Sequence, residues 1–329
     1  MKIAVIGAGA WGTALALTLC ANHAVSLWSR DAAQLFELTR TRRNERYLPG
    51  FDLPPEVEIE PELSRAVERS ELIVCTVPTS GLRPTLKQLR EIGACRPLVW
   101  ACKGFEASSA KLPHEVVQEE WEDGARGAVL SGPSFAEEVA RGLPAALTLA
   151  STSADFAAET ARVFHTSRFR VYSSEDVIGI EIAGAVKNVM AIAAGICDGL
   201  GLGLNARAAL ITRGLAEIAR LALKLGGRME TLMGLGGMGD LILTCTGDLS
   251  RNRRVGLALA GGLELQLILK ELGHVAEGVG TAREVGKLAT RLAVDMPISA
   301  AVCRVLYDNV PARTAVEDLL SREPKAENR

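Results

Sequence analysis

Residues 2–22 read Lys2-Ile3-Ala4-Val5-Ile6-Gly7-Ala8-Gly9-Ala10-Trp11-Gly12-Thr13-Ala14-Leu15-Ala16-Leu17-Thr18-Leu19-Cys20-Ala21-Asn22. The first five form a short β-branched run, a strand pattern. A G-x-G-x-x-G turn follows at once, and from Thr13 to Asn22 the chain is apolar and helix-forming. Strand, glycine turn and helix stand in the order that the dinucleotide-binding fold requires. Gly7 permits the tight turn, Gly9 lets a pyrophosphate reach the backbone, and Gly12 lets the helix pack on the strand. The helix start supplies N–H donors and positive potential to the phosphates.

Outward from this unit, Ala24 to Trp28 is a second strand, ending in Ser29-Arg30-Asp31. An acidic residue at that end bonds a ribose 2′-hydroxyl, whereas an arginine accommodates a 2′-phosphate. With Arg30 and Asp31 adjacent, the position is ambiguous between NAD and NADP, leaning to NADP or dual use. Further apolar runs at 72–77, 98–102, 128–130, 145–150 and 168–172 alternate with amphipathic segments near 82–91, 108–122 and 154–165. Buried strands alternating with helices predict a Rossmann-type, doubly wound, mostly parallel sheet. Ligands in such sheets sit at the carboxyl ends of the strands. Pro78, Lys103 and Gly132-Pro133-Ser134 all fall at such ends.

From Asp176 the strand pattern stops. Helical stretches are expected at about 178–197, 205–225, 252–260, 264–272, 281–293 and 297–308, giving an all-α second domain. The expected division is 1–174 for the sheet domain, 175–320 for the helical domain and 321–329 for a polar tail. In the helical half, Glu181-Ile182-Ala183-Gly184-Ala185-Val186-Lys187-Asn188 begins an alanine-rich run with only Lys187 and Asn188 polar between Ile182 and Cys197. The run reads as a buried helix, too short and too charged to span a bilayer. A lysine there is costly unless it is paired or loses its charge. Its i±3 and i±4 neighbours, Ala183, Gly184, Met190 and Ala191, include no acid, so its partner must come from elsewhere. Gly234-Leu235-Gly236-Gly237-Met238-Gly239-Asp240 reads as a glycine-rich loop delivering one carboxylate. Ser250-Arg251-Asn252-Arg253-Arg254 places three arginines at a helix start with Ser250 as N-cap, a site for a small phosphate ester.

Composition narrows the function class. A net charge of −2 gives no electrostatic case for nucleic acid or an anionic membrane. The seven cysteines are scattered without a C-x-x-C, and four histidines stand far apart, so no metal site is expected. Reduced thiols and the absence of a signal-peptide pattern point to the cytoplasm.

Taken together, GAGAWGTALA (7–16), RRNERYLPG (42–50), CKGFE (102–106), SGPSFAEEVARGLP (131–144), EIAGAVKNVMAIAAG (181–195), GLGGMGDLILTC (234–245) and SRNRRVG (250–256) resemble the bacterial NAD(P)-dependent glycerol-3-phosphate dehydrogenases over nearly the full length. The resemblance implies reversible oxidation of sn-glycerol 3-phosphate to dihydroxyacetone phosphate with NAD or NADP, feeding phospholipid synthesis. It implies Lys187 as proton acceptor in oxidation. It implies substrate contacts at Lys103, Gly132, Ser134, Lys187, Asp240, Ser250, Arg251 and Asn252. Besides Gly7, Gly9, Ala10 and Gly12 of the turn, it implies cofactor contacts at Trp11, Arg30, Lys103, Ala136, Arg251, Val275 and Glu277. At Ala10 many members carry serine, which puts one phosphate hydrogen bond in doubt. A homodimer is implied by the family alone, with no motif behind it, and the 42–50 stretch receives no role.

Two other readings fit the same architecture: a related hydroxyacid dehydrogenase, or a non-catalytic dinucleotide-sensing module. The Ser250-Arg251-Asn252 cluster favours a phosphorylated substrate over the first. The buried lysine argues against the second, which needs none.

Overall fold

A computed structural model of the chain describes residues 1–107, 109–121, 126–273 and 275–323. Eight strands form one sheet: β1 (Lys2–Ile6), β2 (Ala24–Trp28), β5 (Val57–Ile59), β6 (Leu72–Cys75), β7 (Leu98–Trp100), β8 (Gly127–Ser131), β9 (Ala145–Ala150) and β10 (Phe169–Ser174). The remaining two, β3 (Arg43–Asn44) and β4 (Leu48–Asp52), pair as a separate antiparallel hairpin. The sheet runs β10-β9-β8-β7-β6-β1-β2-β5, parallel throughout except where β8 meets β9. Strand order reverses at β1, between β2 and β6. In such sheets that reversal opens the ligand crevice beyond the carboxyl ends.

β1, β2 and β9 keep the predicted bounds. β6 and β7 stop at Cys75 and Trp100, short of the apolar residues that follow them. β5 and the hairpin were not expected. β5 is three residues long on the sheet edge with Glu58 in its middle, and β4 contains Pro49 and Gly50, so neither shows an apolar run. The first helix, Ala10–Leu19, starts three residues earlier than predicted because Gly9 is its N-cap. The segment expected at 108–122 is helical over Pro113–Glu120, with proline at the first helical position; 108 and 122 lie outside the described residues, as does 324–329 of the tail.

The helical half is built on one element, Val177–Gly199, hereafter the central helix. At 23 residues it is long and apolar enough to cross a membrane, which corrects the length argument made from sequence. Of its most apolar window, 94% is buried inside the protein. Ile182, Val186, Val189, Met190 and Ile192 all lie at 0% exposure in the helical core, each contributing about 1.5–3 kcal/mol. At its start, Val177 and Ile180 join instead the core under one face of the sheet. The helix thus belongs to both halves.

The helix Arg251–Ala260 crosses it at two glycines. A Cβ on Gly195 would sit 2.1 Å from the Arg253 carbonyl oxygen, and one on Gly256 2.0 Å from that of Ile192. Side chains at these positions would hold the helices apart, and with them Arg251.

Candidate active site

The turn after β1 has the geometry that its glycines allow. Gly7 has φ +114°, and an added Cβ would meet Thr76 and Val77 backbone at 3.1 Å. At Gly12 a Cβ would lie 1.9 Å from the Gly7 carbonyl oxygen. At Gly9 it would meet nothing within 4 Å, and the helix that starts there has no side-chain cap. An open glycine at an uncapped helix start fits a dinucleotide pyrophosphate, whose oxygens would accept from the N–H groups of the first turn.

The 42–50 stretch supports this turn. Asn44, on β3 and buried, donates to the Ala8 carbonyl at 2.9 Å and to Thr13 Oγ1 at 2.7 Å. Gln34 donates to the same carbonyl at 2.5 Å. Thr76 Oγ1 donates to the Gly7 carbonyl at 2.7 Å. Sequence reasoning missed all three, because each pairs residues more than 25 positions apart.

At the end of β2, Asp31 Oδ1 caps the next helix, accepting from Ala33 N at 3.0 Å and Gln34 N at 3.2 Å. Its Oδ2 accepts from Arg46 at 3.1 Å. Arg30 beside it is exposed. Both oxygens of Asp31 therefore have partners within the protein, while the Arg30 side chain faces solvent. The Trp11 ring packs, tilted, 6.4 Å from that of Phe169. Ala136 is half-buried and begins the helix Ala136–Ala140. Val275 is 57% exposed. The Glu277 carboxylate accepts from Thr79 N at 3.1 Å, joining the helix Glu277–Leu292 to the carboxyl end of β6.

Deeper in the cleft, two lysines share one carboxylate. Lys187 Nζ donates to Asp240 Oδ1 and, at 2.9 Å, to Thr244 Oγ1. Lys103 Nζ donates to Asp240 Oδ2 at 2.8 Å and reaches the Gly132 carbonyl at 3.3 Å. Ser134 Oγ donates to that same carbonyl at 3.0 Å. Lys103, Gly132 and Ser134 sit past β7 and β8, as the strand-end rule anticipates. Gly132 has φ +142°, and a Cβ there would lie 2.9 Å from Leu147 Cα.

Burial pushes the Lys187 amine down to about 7; Asp240 opposes that shift and Lys103 adds to it. Burial alone would push the Asp240 carboxyl up, but the two ammonium groups hold it below its ordinary value. The result is a carboxylate that stays charged beside an amine poised to gain or lose a proton near neutrality.

Asp240 does not leave a loop. Leu235–Gly239 forms a single π-helical turn that runs directly into the helix Asp240–Thr246, which corrects the loop expected there. The glycines are needed for packing: a Cβ on Gly236 would lie 2.4 Å from Ile180 Cδ1, and one on Gly237 2.1 Å from the Leu232 carbonyl oxygen. Thr244, unnoticed in sequence, stands one turn after Asp240, on the same helix face.

At the third cluster, Ser250 Oγ accepts from Arg253 N at 3.2 Å, the predicted N-cap. Arg253 is committed to Asp198 at 2.8 Å and to Asp248 at 2.8 Å. Asn252 is buried: it donates to Asn188 Oδ1 at 2.9 Å and accepts from Gly278 N at 3.0 Å. Arg251 is half-buried, within electrostatic reach of Glu277 and Tyr47. Of the three arginines, Arg251 is the one that combines a half-buried place with these cleft neighbours. Among the described residues, no group of three or more His, Cys, Asp or Glu is placed to hold a metal, and all seven cysteines are free thiols.

A dinucleotide turn at a strand-order reversal, together with a buried lysine paired to a carboxylate on a second, helical half, marks a two-part dinucleotide-dependent oxidoreductase. The family model described as NAD-dependent glycerol-3-phosphate dehydrogenase N-terminus matches residues 2–157, and its C-terminus counterpart matches 176–317. The glycerol-3-phosphate dehydrogenase [NAD(P)+] of Nitrosospira multiformis is 61% identical over 99% of both chains. That of Aromatoleum aromaticum is 59% identical over 99% of this chain and 100% of its own. The solved glycerol-3-phosphate dehydrogenase of Coxiella burnetii superposes with a TM-score of 0.94 at 42% identity, over 98% of this chain and 99% of that one. The chain belongs to the NAD-dependent glycerol-3-phosphate dehydrogenase family. D-mandelate dehydrogenase, at 14% identity and a TM-score of 0.61, shares the fold alone.

Proposed function

We propose that the protein interconverts sn-glycerol 3-phosphate and dihydroxyacetone phosphate using NAD or NADP, in the cytoplasm, supplying glycerol 3-phosphate for phospholipid synthesis. The observation that carries the reaction is Lys187, buried in the cleft with its amine near neutrality and anchored on Asp240. A general base works best with a pKa near the operating pH. In oxidation, neutral Lys187 takes the proton of the substrate's secondary hydroxyl as the carbon–hydrogen bond breaks and the carbonyl forms. In reduction, the Lys187 ammonium returns that proton to the developing alkoxide. The nicotinamide, when bound, supplies the hydride acceptor or donor. Asp240 holds Lys187 in place, and Lys103, on the other oxygen of Asp240, adds positive charge beside the forming oxyanion. Arg251, at a helix start, takes the substrate phosphate, where its planar fork and the helix N–H groups favour an anion.

Assigning 1–174 to the cofactor and 175–320 to the substrate follows the change of architecture between Ser174 and Val177. We further propose a homodimer, from the family alone.

The deciding experiment is Lys187→Ala assayed by cofactor absorbance with dihydroxyacetone phosphate. Turnover is expected to fall roughly 100-fold or more, the loss typical of a general acid or base, with dinucleotide affinity nearly unchanged. Near-normal turnover would remove Lys187 from the chemistry.

A further inference from the structure

Glu181, Gly184 and Lys187 stand three residues apart on the central helix, and such a row forms one ridge on a helix surface. The reaction above uses Lys187 but not Glu181. The Glu181 side chain is 1% exposed and accepts three hydrogen bonds from the sheet half. Oε1 accepts from Trp100 Nε1 at 2.7 Å and from the His114 backbone N–H at 2.9 Å. Oε2 lies 2.6 Å from His114 Nδ1.

Both donors flank the segment that carries Lys103. Trp100 ends β7 three residues before it, and His114 lies in the first turn of the next helix. Between them the Lys103 stem runs over Gly184, where an added Cβ would sit 3.6 Å from Cγ and 3.8 Å from Cδ. Its Nζ then reaches Asp240 Oδ2, whose other oxygen holds Lys187. A buried carboxylate is costly unless its oxygens are satisfied. These three donors satisfy Glu181 only in this docking of strand end against helix.

We propose that Glu181 is a positioning residue: by fastening Trp100 and His114 to the central helix, it sets the place from which Lys103 reaches Asp240. The inference rests on the acid–base reading of Lys187. The ionisable groups acting on Lys187 are Asp240, Lys103 and the Cys245 thiol, beside the Thr244 hydroxyl that accepts from it; Lys103 is also near Glu277, and His114 near Glu115. Lys103 disfavours the protonated form of Lys187, and Asp240 favours it. When Lys103 withdraws, Asp240 serves Lys187 alone, and the amine keeps its proton to higher pH.

The test compares the pH profile of kcat/KM for glycerol 3-phosphate oxidation in the wild type, Trp100→Phe, Glu181→Gln and Lys103→Met, with dinucleotide KM and Tm alongside. Trp100→Phe keeps an aromatic ring at the site and the Glu181–His114 pair while removing one donor, so it decides the matter even if Glu181→Gln folds poorly. The expected result is a rising limb displaced upward by about 0.5–1 unit in all three variants. At pH 7 that makes the two clamp variants roughly two- to fivefold slower, with dinucleotide KM within about twofold. A lowered Tm with an unmoved limb in Trp100→Phe would make Glu181 a packing residue and overturn the proposal. Failure of the acid–base reading shows differently: the wild type would lack the limb, and Lys187→Ala would keep its turnover.

Discussion

Lys187 shows how one residue acquires chemistry from its surroundings. Its folded pKa is lowered to about 7, chiefly by burial, so the neutral amine grows in as pH rises through that value. Oxidation needs the neutral amine, and kcat/KM for glycerol 3-phosphate should rise through about pH 7. Reduction needs the ammonium, so the profile with dihydroxyacetone phosphate should fall through the same region. Rate profiles in the two directions, bending the same way, would refute the assignment. For cofactor choice, Asp31 is spent on its helix cap and on Arg46, and we propose Arg30 as the reader of a 2′-phosphate. Arg30→Ala should weaken NADPH by about 1.5–3 kcal/mol, the range of a charge-assisted bond, and leave NADH nearly alone. Equal losses for both in titrations would move Arg30 out of the cofactor site.

Among elements, the contact between the central helix and Arg251–Ala260 leaves no room for a side chain at either crossing glycine. Gly256→Ala would place a methyl 2.0 Å from the Ile192 carbonyl oxygen and 2.8 Å from Ile196 N. Backbone cannot yield as a side-chain tip can, so the helices must separate, costing about 1–3 kcal/mol or more. Thermal unfolding should report that loss, and the KM for the phosphorylated substrate should rise because Arg251 rides on the displaced helix. A stable variant with wild-type KM would show that the crossing does not set the site. The sheet strands other than β5 were legible as apolar runs, and the long helices by their apolar stretches. The hairpin that braces the glycine turn was not, since Asn44 acts through Ala8 and Thr13 and its stretch has no period.

Across the whole molecule, the cleft takes the dinucleotide turn from the sheet half and Lys187, Asp240 and Arg251 from the helical half. In the proposed reaction, phosphate binding at Arg251 should orient the carbon that reacts beside Lys187. Arg251→Ala should raise KM and also lower kcat for dihydroxyacetone phosphate, while barely changing the already poor turnover of unphosphorylated dihydroxyacetone. Arg251→Lys should remain impaired, because a point charge cannot copy the planar fork. Equal fractional losses on both substrates would place Arg251 at the cofactor or in the framework.

Short-range pattern determined the sheet, the dinucleotide turn and the apolar helix with one lysine, because strand and helix periods and glycine spacing are local properties of a chain. The same pattern showed that Lys187 lacked a partner on its own helix. Tertiary structure decided the rest. It brought Lys103 and Lys187 onto one carboxylate from segments 137 and 53 residues distant. It withdrew Arg253 into an ion pair with Asp198, turned the expected glycine loop into a π-helical turn, and buried in protein a helix long enough for a bilayer. The physical reason is common to all four: burial and charge pairing depend on what lies within a few ångströms in space, which separation along the chain does not record.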